Sequence, residues 1–297
     1  MFRRRFILIV MLIPALCFTA RAQEARRVSV AVLDMGARAT GARVMERLSK
    51  LLAASGASLT LLDRGMSRAA ARGIGYAGSL NMTLDEARSL GAAVGCDFYL
   101  TGDAQTIRRS SSSRPIYFES YASVFIVSAR TGQLVLWDRP SAEADTAERA
   151  ESSLLAALDT SAGARYAAAL LDTAAREEHA RFEPVDDAPS SVIDLSTDES
   201  AGAHTDLREP APYRRLRPAY TDAASRAEAE ATVDALVEIG ADGEVLSVRV
   251  VRWAGFGLDE EVVSTVRRMH FRPAAREGEP VAVRVLLRYN FRRPPKS

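Results

Sequence analysis

Hydrophobic and polar positions change rhythm several times along the chain, and each change marks an element. Residues 27–33, "RVSVAVL", alternate and are rich in valine, which predicts a strand closed by Asp34-Met35-Gly36. Val44, Leu48, Leu51 and Leu52 then recur at helical spacing, and Gly56 ends that run. Residues 59–62, "LTLL", predict a second strand. Strand, helix, strand in this order predicts a parallel pair joined by a right-handed crossover. Thr83 opens a helix that reaches Val94, and Glu86 stands where a capping box needs it. Three strands follow at 96–107, 116–129 and 133–138. A polar loop at 109–115 and the turn Arg130-Thr131-Gly132 separate them, so the pattern predicts an antiparallel meander. An alanine-rich helical stretch, about 142–180, closes this region, with Gly163 as its point of interruption.

The rhythm dissolves over 181–212, which is acidic and rich in Ser and Pro. That composition predicts a flexible linker. Order returns at 213. A short helical lead spans 224–231, and 232–252 reads as two strands around the hairpin signal Ala241-Asp242-Gly243. A helix at 258–269 carries Asp259, Glu260 and Glu261 in its first turn and Arg267 and Arg268 in its last, which suits the helix dipole. The turn Arg276-Glu277-Gly278-Glu279 leads into a final strand at 281–291. The fold class is α+β: an N-terminal α/β domain with a mixed sheet at 23–180, the linker at 181–212, and a small β-β-α-β domain at 213–297.

Charge narrows the function. The 297 residues hold 39 basic and 38 acidic side chains, a net charge of +1, which is no electrostatic footprint for nucleic acid. The first residues point to export. Arg3, Arg4 and Arg5 precede a mostly apolar run at 6–20, and Ala20-Arg21-Ala22 is a small-x-small site, so 1–22 reads as a secretory signal peptide. The run is shorter than the ~20 residues a spanning helix needs. The expected location is the periplasm; the alternative is an uncleaved inner-membrane anchor. A lipoprotein would use Cys17, but Leu16 stands before it where a small residue is usual. Removing the leader would leave Cys96 as the one cysteine, with no internal disulfide and the reading of a small buried hydrophobe.

Candidate chemistry is sparse. Gly73-Ile74-Gly75-Tyr76-Ala77-Gly78 matches G-x-G-x-x-G, but a helical stretch precedes it instead of a strand, so a glycine-rich connector is the expectation. His179, His204 and His270 are scattered and make no zinc set. His270 reads as a hydrogen-bonded structural histidine, and the carboxylates at 259–261 as groups serving a helix start. The arginines at 267, 268, 272, 276, 284, 288, 292 and 293 interleave with acidic residues and read as a solvated face. No catalytic constellation, cofactor site or metal site is expected, and no enzyme.

Six short motifs now define a resemblance. "PAYTDAA" at 218–224, "ADGEV" at 241–245, "GFGLDEEVV" at 255–263, "HFRPA" at 270–274, "EGEPV" at 277–281 and "RYNF" at 288–291 keep the order and spacing of TonB C-terminal domains. Residues 213–293 therefore resemble that family. More weakly, 27–180 is similar to the N-terminal α/β domain of TolB and CsgG-like envelope proteins, through "VAVLDM" (30–35), "LLDRG" (61–65), "LGAAVGCDFYLTGDA" (90–104) and "ARTGQLV" (129–135). The first resemblance implies that the C-terminal domain docks short extended segments of outer-membrane TonB-dependent transporters by strand addition. The implied edge is Val283, Arg284, Val285, Leu286, Leu287, Arg288 and Tyr289. Arg284 and Arg288 would flank a docked segment and steer an acidic one. The chain departs from TonB transducers in its leader and in having an α/β domain and a short acidic linker where they carry a Pro-rich spacer. The alternative is a non-transducing structural or assembly module of the envelope that acts through its N-terminal domain. A homo-oligomer is compatible with either.

Overall fold

The computed structural model describes residues 27–55, 58–181, 192–197 and 206–293. The leader at 1–22, His204 and much of 181–212 lie outside the described residues. The N-terminal domain begins with β1 (Val28–Met35), α1 (Ala39–Ala54) and β2 (Leu59–Leu61), and the two strands pair in parallel. Two helices follow, α2 (Arg64–Gly73) and α3 (Leu84–Val94). The capping box at Thr83 and Glu86 is present, and Gly95 ends α3 in the left-handed conformation. The meander is β3 (Phe98–Arg109), β4 (Tyr117–Ser128) and β5 (Leu134–Asp138), paired antiparallel. The strand order is β2-β1-β3-β4-β5.

The alanine-rich stretch starts later than the composition predicts. Residues 141–144 form β6 (Ser141–Ala144), which pairs with the outer side of β4 beyond β5. The helix begins only at α4 (Ala147–Ala157), where Thr146 caps the first turn. A π-helical turn at Leu158–Ala162 then joins it to α5 (Gly163–Ala180), so the interruption sits just before Gly163. The sheet is covered on both faces. Val30, Val32, Leu100, Val124 and Ile126 pack on Leu48, Leu52, Leu154 and Tyr166 on one side. Ala31, Leu33, Tyr99, Phe125 and Val127 pack on Ala71, Ala87 and Leu90 on the other. The expected α/β domain is thus a three-layer sandwich. Cys96 is half-buried here, and burial pushes its thiol up to about 12, so it is an inert packing group.

The acidic segment is more structured than its composition predicts. β7 (Ile193–Leu195), β8 (Leu207–Arg208) and β9 (Ala211–Pro212) all pair with the C-terminal domain. Their partners lie 59 to 90 residues further along, so local periodicity carries no trace of them. The domain continues with α6 (Asp222–Ala227), β10 (Ala231–Ile239), β11 (Val245–Arg252) and α7 (Leu258–Arg267). It ends with β12 (Phe271–Arg272), β13 (Ala274–Arg276), β14 (Glu279–Val281) and β15 (Val283–Phe291). The main sheet runs β11-β10-β15-β7. The β10–β11 hairpin turns at the Asp242-Gly243 signal, and Gly243 has φ 86°. Glu277 and Gly278 both take positive φ, which suits the two-residue turn between β13 and β14.

The two domains share a core. Trp253, just past β11, is 2% exposed and sits in the N-terminal apolar cluster. Its ring stacks on Phe125 at 5.8 Å, and its Nε1 donates to the Gly132 carbonyl at 3.0 Å. Phe256 packs edge-on to Phe125 at 5.7 Å and lies 5.0 Å from Trp137. A Cβ on Gly255 would fall 2.6 Å from the Phe125 ring, so this close approach needs glycine. Asn81 completes the joint. Its amide donates to the carbonyls of Thr232 and Trp253, each at 2.7 Å, and its Oδ1 accepts from the Thr232 N–H at 3.0 Å.

Candidate docking edge

The sequence places every other residue of β15 on one face, and the structure decides which face is buried. Val233, Ala235, Val237 and Ile239 of β10 are buried beside Val283 and Phe291, against Leu258, Val262 and Val266 of α7. The odd-numbered residues of β15 therefore face the helix. The even-numbered Arg284, Leu286 and Arg288 stand on the opposite face.

The same parity orients the backbone. In a strand, the N–H and C=O of one residue point to the same side of the sheet, and the side alternates along the chain. The Ile193 N–H donates to the Ala282 carbonyl at 2.9 Å, so Ala282 points away from β10. The β10–β15 register is unbroken from Ala231↔Phe291 to Ile239↔Val283. Hence Arg284, Leu286, Arg288 and Asn290 present their backbone groups to the outer edge, while Val283, Val285, Leu287 and Tyr289 serve the ladder to β10. β7 pairs with Val283, Arg284 and Val285 only. The parallel pairing of Val285 with Leu195 also takes up the Leu286 N–H; beyond it, no strand among the described residues covers the edge.

Beside this open part runs a groove of about 430 Å³. Leu216, Pro210 and Pro212 line it together with residues of β12 and β15. The Tyr289 hydroxyl reaches the Met269 sulfur at 3.7 Å. The groove has an apolar wall of Met269, Phe271, Leu287 and Tyr289 on the helix side of the edge, and Glu209, Arg215 and Arg288 line it as well.

The two arginines are not free to steer. Arg288 makes a two-pronged contact with Asp234, Nε to Oδ1 at 2.7 Å and Nη2 to Oδ2 at 3.0 Å. Asp234 also accepts from Arg252 at 3.3 Å and is nearly buried. Arg284 meets Glu238 at 2.6 Å and Asp194 at 3.4 Å. Hydrogen bonds from Arg284 and Ser247 hold the Glu238 carboxyl below its ordinary range. The cross-strand carboxylates on β10 were not foreseen, although alternate charged positions on neighbouring strands are a readable signal. Charge steering by Arg284 and Arg288 is thus largely satisfied within the domain.

Other sequence candidates lie elsewhere. The glycine run at 73–78 joins α2 to α3, with no strand before it. His270 accepts or donates one exposed contact to Glu244 at 2.9 Å. Asp259 does not cap its own helix: it accepts the N–H groups of Ala254 and Gly255 at 2.9 and 2.7 Å, which fixes the loop behind Trp253. Burial raises its carboxyl to about 7 against those two donors. Among the described residues, no cluster of His, Cys, Asp and Glu could hold a metal, and no helix is long and apolar enough to cross a membrane.

Comparison with known proteins falls on this same domain. Residues 217–292 match the family model described as Gram-negative bacterial TonB protein C-terminal. Among solved structures, the TonB C-terminal domain of Pseudomonas aeruginosa is 22% identical, with a TM-score of 0.27, over 35% of this chain and 96% of that one. A hypothetical protein from Chlamydia trachomatis is 14% identical, TM-score 0.30, over 51% of this chain and 96% of its own. A lipoprotein from Neisseria meningitidis is 15% identical, TM-score 0.31, over 52% and 99%. No curated protein matches the chain.

Proposed function

We propose that this TonB-family envelope protein, whose residues 217–292 are a TonB C-terminal domain, binds an extended segment of an outer-membrane transporter along the outer edge of β15. One observation carries the proposal: Arg288 and Asn290 direct backbone donors and acceptors outward, beside a groove with an apolar wall, with no covering strand among the described residues. An added strand would satisfy those groups and place alternate side chains against Leu287 and Tyr289. Main-chain hydrogen bonds would supply much of the affinity and the groove the selectivity. The leader motif and the family together favour a periplasmic location for this contact. The protein works by binding, not by catalysis.

The test is site-specific photo-crosslinking in cells. A crosslinker at position 288 is expected to capture integral outer-membrane transporters, and one at Leu246, exposed on β11 at the other side of the sheet, is not. Leu286→Pro should abolish the capture, because it removes an outward N–H without touching the β10 ladder. Equal capture in a folded Leu286→Pro variant would overturn the proposal.

A further inference from the structure

Part of the edge is already occupied, and its occupant comes from the chain itself. β7 runs parallel to β15 in the register Val283↔Ile193, Arg284↔Asp194, Val285↔Leu195. Ile193 and Leu195 pack with Val283, Val285 and Leu287 in the apolar cluster under the sheet. Asp194, between them, points to the other face and meets Arg284 at 3.4 Å. The Ser196 N–H turns back onto Asp194 Oδ1 at 2.8 Å and ends the strand there. The Ser196 contacts, and then Arg284, hold the Asp194 carboxyl below its ordinary range, so it is charged at neutral pH.

This is a complete strand-addition contact in miniature. It has a backbone bond, two aliphatic side chains on the helix side and one acidic side chain on the arginine side. It is also short and shallow. Three residues make it, each only half-buried, and its ion pair is half-exposed. Such a pair is worth little by itself. A three-residue parallel pairing is held mainly by its tether, which keeps the segment at a high local concentration. Immediately past Leu195, where β7 stops, the groove along Leu286 to Tyr289 begins.

Resting on the docking reading above, we propose that Ile193–Leu195 is a tethered surrogate of the partner strand. The partner then has a stated chemistry. It is an extended segment running parallel to β15, aliphatic–acidic–aliphatic opposite Val283, Arg284 and Val285. It continues with apolar residues opposite Leu287 and Tyr289, where the groove receives them. Binding must displace β7, so the acidic segment competes with the partner and sets a threshold for it.

The experiment uses the full chain and a fluorescent peptide with the sequence of residues 192–196 followed by valine, serine and valine, which puts a valine opposite each of Leu287 and Tyr289. Anisotropy gives its affinity for wild type, Ile193→Pro, Asp194→Arg and Leu286→Pro. Ile193→Pro removes the N–H that binds Ala282, and Asp194→Arg sets two cations face to face while leaving the backbone intact. Both variants are expected to bind the peptide at least threefold more tightly than wild type. A peptide with lysine in place of its aspartate should bind severalfold more weakly. Leu286→Pro should bind it at least tenfold more weakly. Unchanged affinity in both Ile193→Pro and Asp194→Arg, with Leu286→Pro still defective, would overturn the surrogate and leave the docking edge standing. Affinity indifferent to Leu286→Pro as well, or no binding to any chain, would overturn both.

Discussion

The two flanks of the C-terminal sheet are built for opposite ends. On the β11 side, Trp253 and Phe256 are driven into the N-terminal domain, and Asn81 closes backbone groups at the start of β10. On the β15 side, three half-buried residues of an acidic segment cover part of an edge and leave the rest open. One flank is a core shared by two domains; the other is a contact that a competitor can replace. The sheet order β11-β10-β15-β7 sets them on opposite sides of the sheet. The N-terminal domain can therefore hold the C-terminal domain firmly without covering its docking edge.

The contrast can be broken at its strongest point first. Trp253→Ala removes the ring shared by the two domains and should cost about 3–5 kcal/mol, read as a lower denaturant midpoint and new proteolysis between the domains. Asn81→Leu leaves the Thr232 N–H and two carbonyls without their partner. It should cost about 1–3 kcal/mol by the same denaturation, with the β15 edge unaffected.

Next comes pH. Burial raises the Asp259 carboxyl to about 7 in the folded chain from an ordinary 3.8. The native state then keeps a proton that the unfolded state releases between those values. This contribution to stability is fully present below about pH 4, falls as the pH rises to about 7, and is flat above. Asp259→Asn should flatten that part of the stability–pH curve, measured as urea midpoints across the range. Leu286→Pro should be the mildest for stability, about 1 kcal/mol or less, because its N–H serves only the short β7 pairing and not the β10 ladder. Its main effect is on partner binding, which separates the open edge from the welded one.

Local chemistry made much of this legible. Thr83 with Glu86, Asp242-Gly243, and the valine alternation of β1 and β10 each state their element within a few residues. The six C-terminal motifs were readable for the same reason, since turns and caps need fixed residue types at fixed places. What escaped were pairings made over distance. Ile193-Asp194-Leu195 is too short to show a period, and its partner strand is 90 residues away. Residues 142–144 looked helical because alanine is the best helix former, yet an edge of β4 was available to them. Trp253 lies in a loop between a strand and a helix, where periodicity says nothing about burial. Arg284 and Arg288 were placed on the right strand, but their neutralising carboxylates stand on β10, visible only once register is known.

Backbone amide exchange along β15 tests the central claim most directly. In the free chain, Val285, Leu287 and Tyr289 should be protected by β10, and Arg288 and Asn290 should exchange fast. Adding the extended peptide should protect Arg288 and Asn290 and leave the odd-numbered amides as they were. If Arg288 and Asn290 stay fast while the peptide is bound, the partner does not dock along this edge, and the account is wrong.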